Sequence, residues 1–332
     1  MFARARHEHV RQKRHATCCS AVMPPTPPAV IDGRYRLESL VGAGGMGTVF
    51  RAHDLRSNQD VALKLLHPER LGDARAVAYF RREGQTAGRL RHAHLVTVLA
   101  TGEVAGEPYL VMRLVPGRPL RDLIRDGELP TVSRAISIIS QVLSGLEAIH
   151  AAGFVHGDVK ADNVLIEDDD RATLIDLGLM RSQSESCDGA DGFVSGTPDY
   201  MAPEIIHGEG GRIESDLYSV GALLYELLTG STPFAGGTAP QILHRQLTDI
   251  VVPPSMKRPE RSFPRALEEA VLWALAKRPE DRPHNARAFA CRLLEALPSH
   301  DTSRDDERWP VPTTFSTTAP TLCWKRAALP EP

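Results

Sequence analysis

The chain has 332 residues, 42% of them apolar and 24% charged, with a formal net charge of -3. That composition can bury one large two-lobed domain or two smaller ones, and its near-neutral charge gives a nucleic-acid partner no basic field to bind. Five cysteines (Cys18, Cys19, Cys187, Cys291, Cys323) lack metal-ligand spacing and read as reduced thiols of a cytoplasmic protein, and no uninterrupted apolar run approaches the roughly 18 residues of a membrane crossing.

Residues 1–22 carry Arg4, Arg6, Arg11, Lys13 and Arg14 without the apolar core of a signal peptide, which predicts a solvated arm; a sharper reading makes Met23 the true start. The proline-rich stretch from Met23 to Val30 predicts a linker, so residues 1–32 are expected to be disordered and folding to begin near Arg34. Between Tyr35 and His67, alternating residues bracket Gly42-Ala43-Gly44-Gly45-Met46-Gly47. A lone G-x-G-x-x-G also serves dinucleotide folds, but there the glycines open a helix. Here Thr48-Val49-Phe50 continues as strand, so the glycines sit at a hairpin tip whose backbone N–H groups can lie over phosphates. Lys64 follows in an otherwise apolar strand, where a bare ammonium is costly unless paired.

From Asp73 to Leu90, Val77, Phe80, Ala87 and Leu90 recur at helical spacing, and Glu83 falls on the same stripe, where its carboxylate needs a cation. Arg81 and Arg82 are expected on the solvated side. His94–Val98 and Glu107–Leu114 read as two further strands, giving a five-stranded antiparallel sheet with one helix, and Pro116-Gly117 breaks the chain. Pro130-Thr131 starts a helix with Ile136, Ile139, Leu143, Leu146 and Ile149 on one side, and Gly153 stops it.

His156-Gly157-Asp158-Val159-Lys160-Ala161-Asp162-Asn163 comes next, followed after a short strand by Asp176-Leu177-Gly178. A carboxylate, an ammonium, an amide and a second carboxylate at these offsets meet the needs of phosphoryl transfer: a group to orient the attacking hydroxyl, a charge on the moving phosphate and two metal ligands. Asp168-Asp169-Asp170 invites a metal reading but is better explained as a solvated turn between strands. The polar stretch from Met180 to Ser195 leaves little to bury and ends in Gly196-Thr197-Pro198-Asp199-Tyr200-Met201-Ala202-Pro203-Glu204. Asp216 heads a helix apolar almost all round, capped by Gly230, and the Thr- and Pro-rich tail from 298 to 332 reads as disordered.

In this order the motifs resemble a protein kinase over about Tyr35 to Leu297, and the glycine loop and the Gly-Thr-Pro-x-Tyr-Met-Ala-Pro-Glu phrase are similar to bacterial, eukaryotic-like serine/threonine kinases. Gly157 stands where the family usually has Arg, Leu177 where it has Phe and Ala161 where Pro is common. The resemblance implies an α+β, two-lobed fold: a small antiparallel sheet lobe with one main helix at 33–115 and a larger, mainly helical lobe at 116–297. It implies that Lys64 pairs with Glu83 on the α- and β-phosphates, and that ATP binds among Val41, Gly42, Gly44, Gly47, Val49, Ala62, Met112 as gatekeeper and Leu114 in the hinge. Asp158 would orient the substrate hydroxyl and take its proton, Lys160 would neutralise the γ-phosphate, and Asn163 with Asp176 would hold magnesium, or manganese in its place. His156 is expected to be structural, packing under Leu177; Thr197 is expected to bond near Asp158 and Lys160, and Glu204 to pair with Arg282.

The implied partners are protein substrates with Ser/Thr acceptors and a regulatory partner, since many such kinases carry a membrane span that is not expected here. Two rivals remain. Aminoglycoside-type phosphotransferases share His-Gly-Asp but generally lack the Ala-Pro-Glu segment. A pseudokinase scaffold has no need of Lys64, Glu83, Asp158, Asn163 and Asp176 together.

Overall fold

Alternation of apolar residues between Val30 and Arg113 builds an antiparallel sheet. Its strands are β1 (Val30–Ile31), β2 (Tyr35–Ala43), β3 (Gly47–Asp54), β4 (Gln59–Leu66), β5 (Val98–Val104) and β6 (Glu107–Arg113), in the order β1-β2-β3-β4-β6-β5, with helix α1 (Ala74–Ala87) between β4 and β5. The computed structural model describes residues 27–44, 47–127, 129–177, 181–182 and 196–297; the expectations for the arm before residue 27, for Gly45 and Met46, for Gly178, for the polar stretch apart from Arg181 and Ser182, and for the tail from 298 lie outside them. The two faces of the sheet differ. Leu63 and Leu65 join Tyr35, Leu37, Phe50, Tyr109 and Val111 in a small cluster, whereas Leu66 and Leu110, from the other face, join Phe80 and Ala87 of α1 in the main core.

Two expectations for this lobe are corrected. The sheet has six strands, because Asp32 and Gly33 take left-handed backbone (φ 52° and 59°) and turn Val30–Ile31 back onto Tyr35-Arg36, with Ala29 and Ile31 packed on the small cluster. The linker therefore stops short of residue 32. The second correction moves a strand: β5 begins at Val98, and the preceding segment pairs elsewhere. Leu95 bridges Leu174 in parallel, through Val96 N–H to Leu174 O and Leu174 N–H to His94 O, both 2.9 Å. Apolar alternation reveals an extended segment without naming its neighbour.

The second lobe contains β7 (Arg118–Pro119), α2 (Leu120–Arg125), α3 (Val132–Ala151), β8 (Phe154–Val155), β9 (Val164–Ile166), β10 (Ala172–Leu174), β11 (Arg181–Ser182), α4 (Pro203–Ile206), α5 (Ile213–Thr229), α6 (Ala239–Thr248), α7 (Pro254–Lys257), α8 (Arg265–Ala274) and α9 (Ala286–Glu295). Thr131 caps α3 by accepting the Arg134 N–H, and Gly230 ends α5 in left-handed backbone. α5 is buried along nearly its whole length and forms the centre against which α3, α8 and α9 pack. Among the described residues α3 alone is long and apolar enough to cross a membrane, with mean hydropathy 1.2 over 18 residues; scattered polar residues hide this from a search for an unbroken run. Two thirds of that window (67%) is buried inside the fold. In the acidic turn Asp168 and Asp169 are exposed, but Asp170 takes φ 61° and accepts from Arg134 at 2.8 Å, so one of the three is structural.

Candidate active site

Side chains on a strand alternate between faces, so Lys64 shares a face with Ala62 and Leu66 and meets α1 rather than solvent. Its Nζ donates to Glu83 Oε1 at 2.9 Å and to Asp176 Oδ1 at 2.8 Å. Burial works against the Lys64 charge, but the two carboxylates outweigh it and hold the ammonium above its ordinary range. Burial likewise pushes the Glu83 carboxyl up, opposed by Lys64.

The glycine cluster lies at the β2–β3 hairpin. Gly44 N–H donates to Gly47 O at 2.9 Å, and a ring nitrogen of His67 lies 2.7 Å from Gly44 O. At Gly47 a Cβ would fall 2.2 Å from Leu65 O, so this glycine is required by the close approach of β3 and β4. Val41 is exposed, and Gly42 and Val49 are half-buried and face each other across the hairpin. Ala62 pairs with Met112 in the β4–β6 register; Leu114 follows β6 in the chain between the lobes. Arg113, beside Leu114 in the hinge, lies 3.5 Å from Glu167 and links it to the β9–β10 hairpin.

Asp216, buried in the first turn of α5, organises the loop from 156 to 163. Its carboxylate accepts the N–H groups of His156 and Gly157 and a bond from His150 Nε2, each at 2.8 Å. Desolvation would raise its pKa, but the His150 and backbone bonds outweigh that and keep it below the ordinary carboxylate value. Gly157 takes φ +81° in this bend, a conformation that disfavours any residue with a Cβ. His156 is fully buried, and burial holds it neutral; its Nδ1 accepts the Asp158 N–H at 3.2 Å, which ties the ring to the loop backbone.

Three side chains converge on Asp158. Asn163 Nδ2 donates to its backbone O at 2.8 Å and to Oδ2 at 3.2 Å. Lys160 Nζ donates to Oδ2 at 2.6 Å and to Thr197 Oγ1 at 3.0 Å, and the Thr197 hydroxyl donates to Oδ1 at 3.2 Å. The Asn163 amide nitrogen is therefore engaged, which leaves its carbonyl oxygen as a donor to metal, and the Asp176 side chain is 43% exposed despite its bond to Lys64. An amide oxygen and a carboxylate are the hard oxygen donors that magnesium and manganese take, so the pair fits such an ion.

The segment after Gly196 is anchored below the loop. Arg282 grips Glu204 with two bonds of 2.7 and 2.8 Å, and Ser215 Oγ adds a third at 2.6 Å. A second buried network was not foreseen: Glu226 accepts from the Tyr200 hydroxyl and from Arg121, which also reaches Asp162 at 3.3 Å. Glu226 within the apolar run from Val220 to Leu228 was the signal available for it.

A family model described as the protein kinase domain matches residues 35–295. Serine/threonine-protein kinase pkn3 of Myxococcus xanthus is 39% identical over 269 residues, covering 78% of this chain and 49% of that protein. PknL of Mycobacterium tuberculosis is 37% identical over 289 residues, covering 87% of this chain and 71% of PknL. The chain thus spans about half the length of pkn3. Among solved structures, the kinase domain of Mycobacterium tuberculosis PknI superposes with a TM-score of 0.65 at 26% identity, covering 82% of this chain and 100% of that one. With its two lobes, its ordered motifs and these relatives, the chain belongs to the protein kinase family, in its bacterial, eukaryotic-like serine/threonine branch.

Proposed function

We propose that this chain transfers the γ-phosphate of ATP to serine and threonine hydroxyls of proteins, its own included. The contact of Thr197 with both Asp158 and Lys160 carries the reading: it joins the segment that would seat a peptide to the carboxylate that would receive the acceptor's proton. Lys64, held by Glu83, binds the α- and β-phosphates in the cleft that Val41, Gly42, Gly44, Gly47, Val49, Ala62, Met112 and Leu114 line. Asp158 orients the acceptor hydroxyl; as its oxygen bonds to the γ-phosphorus, the bond to the β–γ bridging oxygen breaks, ADP departs and the proton passes to the carboxylate. Lys160 sets a positive charge beside the moving phosphoryl group. Asn163 and Asp176 hold magnesium or manganese, which when bound neutralises the phosphate oxygens.

Gly157 has no side chain to pair with a phosphorylated residue, so activation-segment phosphorylation is not strictly required, and a regulatory partner supplies control. Labelled ATP offered with generic protein substrates and, separately, with an aminoglycoside tests the reading. Protein should be labelled by the wild type and not by Asp158→Asn. Label on the aminoglycoside alone, or equal protein labelling by the variant, would overturn it.

A further inference from the structure

The turn Pro198–Tyr200 follows directly on Thr197, and none of its carbonyls belongs to a sheet. What holds it is a set of side chains from below, the central one being Gln246. This residue is fully buried, one helical turn after Ile242 on the apolar stripe of α6, where an unpaired amide is costly. Its amide is paired at both ends. Nε2 donates to Pro198 O at 3.1 Å and to Asp199 O at 2.9 Å, and Oε1 accepts the hydroxyl of Tyr218 from α5.

The neighbouring bonds share this target. Thr232 Oγ1 donates to Asp199 Oδ1 at 3.0 Å, and Ser219 Oγ donates to Tyr200 O at 2.8 Å. Lys277 Nζ donates to Gln246 O at 2.7 Å and stands 4.3 Å from the centre of the Phe234 ring, so the end of α6 is itself pinned. The turn is thus fastened on one side to α6 and presents on the other the hydroxyl that contacts Asp158 and Lys160.

We infer that Gln246 is a positioning residue for phosphoryl transfer to protein: by fixing the carbonyls of 198 and 199 it sets where Thr197 meets Asp158, and so where the acceptor hydroxyl lies. This rests on the kinase reading and extends it to a residue remote from ATP. A residue acting only on stability would lower the folded fraction without separating one acceptor from another. A positioning residue separates them, because water needs no peptide platform.

The test uses Gln246→Met, similar in size but without the amide, in the full chain, with activities normalised to the folded fraction. Peptide kcat/KM should fall by about 30-fold, given that misplacement by about 1 Å can cost a hundredfold. KM for ATP and peptide-free ATP hydrolysis should stay within about twofold. In a Thr197→Ala background the same change should cost less than about threefold, since the route through Thr197 is already cut. Additive losses, or equal falls in peptide transfer and ATP hydrolysis, would overturn the inference. Should Gln246→Met fail to fold, Tyr218→Phe frees one end of the amide and should lower peptide kcat/KM by more than about twofold at constant KM for ATP; no change would equally sink it. A wild-type chain that labels no protein would refute the kinase reading instead, and this inference with it.

Discussion

Thr197 and Lys160, 37 residues apart in the chain, lie 3.0 Å from each other and both contact the carboxylate of Asp158. One hydroxyl therefore couples the peptide-side segment to the loop that carries the carboxylate. Replacing Thr197 with Ala removes a bond to each of two charged groups, each worth about 1.5–3 kcal/mol. Peptide kcat/KM should fall at least tenfold, whether or not the enzyme has first been treated with phosphatase, and Thr197→Ser should restore most of it. An alanine variant with wild-type turnover would show that the contact is incidental.

Asp158 and Asp176 both carry carboxylates, yet their surroundings assign them different losses. Asp158 is engaged by Asn163, Lys160 and Thr197, away from Lys64, so Asp158→Asn should leave folding and nucleotide affinity nearly intact while transfer collapses. Asp176 bonds Lys64 and remains accessible, so Asp176→Asn should abolish magnesium-dependent nucleotide binding. Calorimetric titration with nucleotide, with and without magnesium, checks both; tight magnesium-dependent binding by Asp176→Asn would remove it from the metal site.

Arg282 and Glu204 make a prediction about acid. Burial alone would raise the Glu204 carboxyl, but the Arg282 and Ser215 bonds outweigh it and hold the group below its ordinary value of 4.5. The folded chain thus binds this proton less readily than the unfolded chain does. The stabilisation is complete above pH 4.5 and is lost as pH falls through the lowered folded value. Glu204→Gln, which leaves Arg282 buried and uncompensated, should cost about 3–5 kcal/mol near pH 6, and the gap to wild type should narrow below pH 4.5. Denaturant titrations at both pH values would show it; a gap independent of pH would contradict the assignment.

The groups from His156 to Asn163 were legible because their chemistry is local: the side chains share one short loop, so their offsets are fixed by the loop itself. Glu83 was legible from its place on an apolar stripe, which demanded a cation that Lys64 supplies. Gln246 leaves the same kind of trace beside Ile242, but its partners lie 28 to 48 residues away, and no local pattern names them. Arg121 and Glu226 are 105 residues apart and are equally hidden. The misplaced fifth strand has a related cause, since Leu95 and Leu174 meet across the two lobes.

Gly157 carries the last prediction. In kinases regulated through the activation segment, an arginine at this position pairs with a phosphorylated residue, and the charge-assisted bonds order the segment. Here the position has φ +81° and its N–H is spent on Asp216, so the glycine serves the bend. Restoring the arginine with Gly157→Arg should cost roughly 1–2 kcal/mol in backbone strain, measurable as a lowered Tm. In the wild type, where Gly157 offers no side chain to a phosphate, phosphorylation of Ser182, Ser184, Ser186 or Ser195 should be dispensable. Turnover of phosphatase-treated enzyme, and of a variant with all four serines changed to Ala, should remain within about a hundredfold of the untreated chain, about 2.7 kcal/mol of transition-state stabilisation. A larger loss in both would mean that another basic residue receives the phosphate in place of the missing arginine.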